Sequence, residues 1–294
     1  MNDSLTRFLL SEAGVRGVHV RLDEAWREMA ARAEYPPAAA ELLGEAAAAA
    51  ALFTGHVKVD GRLTVQLRGE GALRTLFAEC TAAGTVRGIC QLAEGEVPRS
   101  LRDAAPGGVL AITIENSGPA GREPVRYQGM VEMTADTLSE AFEDYFRLSE
   151  QLPTRLLLAA DRGTATGMLL QKLPGDSGDA DGWVRASLLF DTLTPAELLA
   201  QPAEVLVHRL FHQDAPRLLD QRALRFGCSC SRERVAAMLV SLGREEVAAA
   251  VDAGQGAARI RCEFCGQAYE FDAEQADALF TTAPATAEPP DTLQ

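Results

Sequence analysis

Four cysteines set as two close pairs constrain this chain more than any other feature. Cys228-Ser229-Cys230 and Cys262-Glu263-Phe264-Cys265-Gly266 bring four soft donors into one C-terminal stretch, and zinc asks for four such donors in a tetrahedron. In an extended or turning backbone, residues i and i+2 point to one side, so Cys228 and Cys230 can share a metal. The Cys-x-x-Cys-Gly run supplies the other pair as a knuckle, in which Gly266 permits the left-handed turn that faces N–H groups toward sulfur. The spacing therefore predicts one Zn2+ per chain, held by Cys228, Cys230, Cys262 and Cys265. Between the pairs, Ser231 is placed to cap a helix over 232–242 that Gly243 ends. A helix over 244–253 and a strand over 258–261 follow. After the knuckle comes a strand-like Ala268-Tyr269-Glu270-Phe271, then a helix capped by Asp272 with Gln275. Such a unit has little core of its own, and metal binding of ~10–16 kcal/mol is large enough to dominate its folding.

Spacing alone favours a purely structural zinc module. Cys-x-Cys is, however, an uncommon zinc pair, and thiolates so close can convert to a disulfide once the metal leaves. That leans toward a redox role. The compartment matters here. Met1-Asn2-Asp3-Ser4 carries an acid where a secretory signal has basic residues. The longest uninterrupted apolar run, 46–53, is far short of the roughly 20 residues of a membrane span. A cytoplasmic chain is expected, and there thiols stay reduced, so clustered cysteines point to metal or redox chemistry before structural disulfides. Cys80 and Cys90 sit in apolar strand patterns and read as buried small hydrophobes.

The 294 residues carry a net charge of −14, so a basic nucleic-acid footprint is not the default expectation. A zinc-ribbon nucleic-acid binder is the first rival reading. Residues 227–294 hold five Arg against eleven Asp and Glu, which disfavours phosphate contacts. The second rival is a thiol-disulfide oxidoreductase using Cys262 and Cys265. Such motifs start a helix whose dipole lowers the first thiol's pKa, whereas Gly266 and a strand pattern follow here. His208 and His212 share a helix face, but Arg209 stands where a zinc peptidase needs glutamate. No Walker motif, nucleophile elbow or catalytic triad is present, and an enzyme is not expected.

The rest of the chain predicts an α+β fold in parts. Residues 1–174 read as an N-terminal domain on a mixed or antiparallel sheet with helices. Val15–Leu22 alternates in period two, as a half-buried strand does. Helices are expected over 23–33 and 38–53, separated by Pro36-Pro37. Residues 56–59 and 63–67 flank Asp60-Gly61 and predict a two-residue hairpin. Further strands are expected over 73–80, 86–92, 109–115, 124–133, 156–160 and 168–173. Thr137-Leu138-Ser139-Glu140 is a capping box opening a helix that stops before Pro153. Residues 174–182 (PGDSGDADG) form the best linker candidate. Residues 175–226 then make a linker and helical middle segment, with a second capping box at Thr194-Pro195-Ala196-Glu197. Its apolar content is too high for a free connector, so it has to pack against a partner surface. Residues 227–281 are the zinc-binding unit, and 282–294 are a flexible tail.

At this point the residues resemble a known family, the heat-shock protein 33 family of redox-regulated holdase chaperones. The likeness is carried by Phe226-Gly227-Cys228-Ser229-Cys230-Ser231-Arg232-Glu233-Arg234 and by the knuckle 262–266. It extends to Tyr145-Phe146-Arg147-Leu148-Ser149-Glu150-Gln151-Leu152-Pro153-Thr154, to residues 167–174, to Val15-Arg16-Gly17 and to 61–71. It covers nearly the whole chain in order. The resemblance implies an ATP-independent chaperone, idle when reduced and zinc-bound, active after oxidation. It implies that Cys228 pairs with Cys230 and Cys262 with Cys265 as zinc leaves, and that the active form is a homodimer. The partners are unfolded or partly unfolded client proteins, with neither nucleic acid nor membrane. The middle segment then offers client-binding candidates: Trp183, Leu189, Phe190, Leu198, Leu199, Leu206 and Phe211. No role for Cys80 or Cys90 is implied.

Overall fold

The computed structural model describes residues 3–116, 125–175 and 178–281. The expected tail over 282–294, Pro124 at the start of its predicted strand, and Asp176 and Ser177 of the linker candidate lie outside these. The chain divides into two compact units, Met1–Cys228 and Ser229–Gln294.

In the first unit the strands are β1 (Ser4–Leu10), β2 (Val15–Leu22), β3 (Arg62–Arg68), β4 (Leu73–Thr81), β5 (Thr85–Leu92) and β6 (Val109–Asn116). They continue with β7 (Val125–Glu132), β8 (Thr154–Ala160), β9 (Ala165–Lys172), β10 (Pro216–Ala223) and β11 (Arg225–Phe226). The helices are α1 (Glu24–Ala30), α2 (Pro37–His56), α3 (Leu101–Ala104), α4 (Leu138–Tyr145), α5 (Gly182–Phe190), α6 (Pro195–Ala200) and α7 (Ala203–Phe211). A five-stranded sheet in the order β10-β1-β2-β9-β8 is antiparallel throughout. A six-stranded sheet runs β11-β5-β4-β3-β6-β7, with β11 parallel to β5 and the other pairs antiparallel. The expected α+β class with a mixed or antiparallel sheet is what forms.

Helix α2 packs against strands of both sheets. Its run Ala46–Ala47–Ala48–Ala49–Ala50–Ala51 is fully buried, and alanine is what lets two sheets approach one helix closely. By length and composition alone α2 would cross a membrane, but most of it is buried inside this fold. The apolar core around it takes Val18, Val20 and Leu22 from β2 and Leu63, Val65 and Leu67 from β3.

The opposite face of the five-stranded sheet is covered as well. Phe8 and Leu10 of β1, Val15 of β2 and Met168 and Leu170 of β9 pack with Phe190, Leu198, Leu206 and Phe211 of α5–α7. This corrects the reading of β2 as half-buried: His19 and Arg21, on the face expected to meet water, are 1% and 9% exposed. The middle segment covers them. Arg21 is satisfied there by Asp23 Oδ2 at 3.1 Å, Thr164 Oγ1 at 3.2 Å and the Leu199 carbonyl at 2.6 Å.

Two further expectations change. No hairpin forms at Asp60-Gly61, because α2 continues through His56 and β3 pairs with β4 and β6 instead. Gly61 serves a close approach: a Cβ there would lie 2.2 Å from the Glu115 carbonyl oxygen. The linker candidate is also tied down in its described part. Asp179 donates its backbone N–H to the Glu12 carbonyl at 2.7 Å, and Arg185 binds Asp179, Asp181 and buried Asp214. Segment 175–226 falls inside the first unit because β10 and β11 return to its two sheets.

Both predicted capping boxes form, Thr137 with Glu140 and Thr194 with Glu197. The second unit contains α8 (Arg232–Leu242), α9 (Arg244–Ala253), β12 (Ala257–Arg261), β13 (Ala268–Asp272) and α10 (Ala273–Thr281). Ser231 caps α8 by accepting from Arg234 N–H at 3.3 Å, and Asp272 accepts from Gln275 N–H at 2.7 Å.

Candidate metal centre

Local backbone chemistry aims the four cysteines. Antiparallel β12 and β13 are joined by the knuckle, which closes through Gly266 N–H to the Cys262 carbonyl at 2.8 Å and Cys262 N–H to the Gln267 carbonyl at 2.9 Å. Gly266 sits at φ +72, the left-handed conformation a side chain disfavours. The Cys228-Ser229-Cys230 stretch lies outside regular structure, and its direction is fixed at one end by the Ser231 cap.

The Sγ atoms of Cys228, Cys230, Cys262 and Cys265 all lie within 4.8 Å of one another, each partly buried. Cys230 and Cys265 come as near as 3.3 Å. Tetrahedral zinc with bonds of about 2.3 Å separates its sulfurs by roughly 3.8 Å, so the donor set and its spacing fit that ion. Two polar groups reach the sulfurs. Tyr269 Oη donates to Cys230 Sγ at 3.1 Å, and that bond, ahead of burial, raises the phenol's pKa. Arg87 Nη1 donates to Cys228 Sγ at 3.7 Å.

Around these sulfurs the second unit has a small core. Val235, Leu239, Val247, Val251, Ala258, Phe271 and Ala276 are its buried apolar cluster, with the Arg232 guanidinium 4.1 Å over the Phe271 ring. This cluster is small for a unit of more than fifty described residues. A metal held by the four cysteines would add a crosslink to this small core.

The other expected residues are placed as follows. Phe190, Leu198, Leu206 and Phe211 are buried, and Trp183, Leu189 and Leu199 are partly buried against them. Cys80 and Cys90 are buried in β4 and β5. Burial raises the Cys80 thiol pKa and pushes that of Cys90 up to about 12, so neither ionises readily. The His208 and His212 rings lie 5.9 Å apart on the exposed side of α7 and its continuation. No helix begins at the knuckle, where an oxidoreductase would have one; α10 starts at Ala273. Sequence reasoning missed Tyr269 and Arg87. The strand pattern held a signal for the first, since Tyr269 follows the knuckle two residues from buried Phe271. Arg87 is 141 residues from Cys228 and carries no such signal.

Comparison with known proteins agrees with this fold. A family model described as Hsp33 protein matches residues 3–272. The 33 kDa chaperonin of Pseudomonas fluorescens (strain Pf0-1) is 41% identical over 288 residues, spanning 96% of this chain and 94% of that protein. That of Chromobacterium violaceum is 41% identical over 281 residues, spanning 95% and 94%. Among solved structures, the 33 kDa chaperonin (heat shock protein 33 homolog) of Thermotoga maritima superposes with a TM-score of 0.79 at 21% identity, over 96% of this chain and 98% of that one. That last likeness speaks to the fold, while the matched residues and the identities speak to kinship: the chain belongs to the Hsp33 family of chaperones.

Proposed function

We propose that this chain is a redox-regulated, ATP-independent holdase, idle when reduced and zinc-bound, and active on unfolding client proteins after oxidation. The observation that carries the reading is a cluster of four sulfurs within 4.8 Å in a unit whose buried apolar cluster, among the described residues, has seven members. Cys228, Cys230, Cys262 and Cys265 would hold Zn2+, which would crosslink the segments that carry them. Oxidation acts on the same sulfurs. Two thiols lose two electrons and two protons to form one disulfide, and one hydrogen peroxide becomes two waters. Disulfide sulfur no longer offers a thiolate to the metal, so two such events remove the crosslink and its folding energy together. Cys228 pairs with Cys230 and Cys262 with Cys265, as the family resemblance implies. The 3.3 Å approach of Cys230 to Cys265 makes the crossed pairing its competitor, and peptide mapping of the oxidised protein distinguishes them.

The client surface is the apolar side of α5–α7, including Trp183, Leu189, Leu199 and the buried Phe190, Leu198, Leu206 and Phe211. Support comes from its packing as a separate apolar layer on one sheet face. The active form is a homodimer working in the cytoplasm without catalysis, and the acidic C-terminal unit does not bind nucleic acid. The test is to add peroxide while following zinc with a colour indicator and scoring aggregation of an unfolded client in parallel. One zinc per chain should leave as aggregation becomes suppressed, with no effect of ATP. Cys228→Ser or Cys265→Ser should carry no zinc, and Cys80→Ala should carry one. Equal suppression with and without peroxide would reduce the cluster to a structural role.

A further inference from the structure

A row of alternating charges crosses the six-stranded sheet and ends on one of the four sulfurs. Glu115 on β6 binds Arg62 on β3 at 2.5 Å, and Arg62 approaches Glu79 on β4 at 3.6 Å. Glu79 is held by Arg87 on β5 through Nε at 2.9 Å and Nη2 at 3.2 Å. Glu79 and Arg87 are direct cross-strand partners, and their side chains are only 5% and 12% exposed. A two-toothed contact with the carboxylate uses one edge of the guanidinium and fixes the direction of the remaining nitrogen. That nitrogen, Nη1, lies 3.7 Å from Cys228 Sγ. The backbone brings the cysteine there: parallel pairing of Phe226 with Val86 and the bond from Gly227 N–H to the Val86 carbonyl at 3.2 Å run residues 226–228 beside β5. Gly227 is needed for that approach, since a Cβ would meet Thr85 Cγ2 at 2.9 Å. Arg87 and Cys228 both belong to the first unit.

We propose that Arg87, oriented by Glu79, is a positioning residue for Cys228 that holds its sulfur in the metal-binding arrangement and slows its loss from the cluster. The inference rests on the zinc reading above. The physical case is twofold. Four thiolates around a divalent cation leave a net charge of −2, which a nearby guanidinium offsets. A hydrogen bond to a thiolate also draws electron density from sulfur, making it a poorer nucleophile toward an oxidant. Groups in this outer position typically change metal affinity by about 10–100-fold. Lysine cannot replace the arginine fully, because an ammonium lacks the fork that engages carboxylate and sulfur at once.

The test uses the full-length reduced protein, with Arg87→Met, Arg87→Lys and the double variant Arg87→Met/Glu79→Leu. The double variant removes both buried charges, so it keeps the experiment decisive if Arg87→Met alone leaves Glu79 unbalanced and fails to fold. Zinc transfer to a chromogenic chelator should be about tenfold faster or more in Arg87→Met and in the double variant, with Arg87→Lys between them and the wild type. With cobalt in place of zinc, the sulfur-to-metal charge-transfer band should shift in the same order, a signature that lost packing alone would not give. Folded variants that match the wild type in both transfer rate and cobalt spectrum overturn the inference. A wild-type protein that takes up no zinc overturns instead the reading on which it rests.

Discussion

The five-stranded sheet is covered twice, by α2 on one face and by α5–α7 on the other, and the two covers differ in kind. Beneath α2 the contact is almost wholly apolar. Its polar neighbours gather at one end, where Arg16 donates to Gln171 at 2.6 Å and contacts His56 at 3.2 Å. Beneath α5–α7 the sheet presents Phe8, Leu10, Met168 and Leu170 interleaved with Thr6, His19 and Arg21. Thr6 Oγ1 and both ring nitrogens of His19 are buried there with no hydrogen-bond partner among the described residues. Each such group costs about 1–3 kcal/mol to bury. The second cover thus gains from apolar burial of ~1.5–3 kcal/mol per large side chain and loses part of it to desolvation. One cover is almost wholly apolar; the other mixes apolar burial with buried polar groups that lack partners among the described residues.

Truncating one aromatic ring on each side tests this most forcefully. Phe53 of α2 meets Phe142 and Phe146 edge to face at 4.9 and 5.3 Å, and Phe211 of α7 stacks near Phe8 at 6.4 Å. Phe53→Ala and Phe211→Ala should each cost about 3–5 kcal/mol, but in different places. Phe53→Ala should lower the stability of the whole first unit in urea unfolding. Phe211→Ala should raise hydrogen exchange across 182–211 alone and give partial chaperone activity with zinc still bound. Global unfolding of both variants would erase the distinction between the covers.

A smaller effect comes from acid. Burial first, then Arg21, lowers the His19 pKa to about 3, and burial first, then Arg16, does the same for His56. Both folded-state values lie below the unfolded value near 6.5, so the unfolded or undocked state takes up the proton first. The stability they contribute is intact above pH 6.5 and declines as pH falls toward 3, by ~2 kcal/mol per imidazole at pH 5. The groups facing His19 are Arg21 on its own strand, Thr6 on β1 and Met168 on β9. At pH 5, exchange across 182–211 should rise in the wild type and stay low in His19→Leu. An identical rise in His19→Leu would show that the outer cover does not respond to this residue.

What could be read in the sequence divides along the same line of local against long-range chemistry. The clustering of the four cysteines was legible because spacing, a capping serine and a knuckle glycine lie within a few residues of the sulfurs they serve. Both capping boxes and the helices α8–α10 were legible for the same reason. β1, β10 and β11 were not foreseen, since their identity as strands depends on partners far along the chain. The Asp60-Gly61 hairpin failed because turn chemistry was outweighed by the length of α2. β2 looked half-buried because its alternation is real, while the layer that hides its polar side begins some 160 residues later. Arg87 needed a fold before it could be seen near Cys228.

The central claim is that losing the metal centre releases the outer cover and leaves the inner one in place. Hydrogen exchange measured across the whole chain, as peroxide is added under mild heat, tests it most directly. Protection should fall first over 228–271 and then over 182–211, while β3–β6 keep theirs and client aggregation becomes suppressed. Loss of protection in the metal unit, with 182–211 fully protected in an active chaperone, would contradict the account and place the client surface elsewhere.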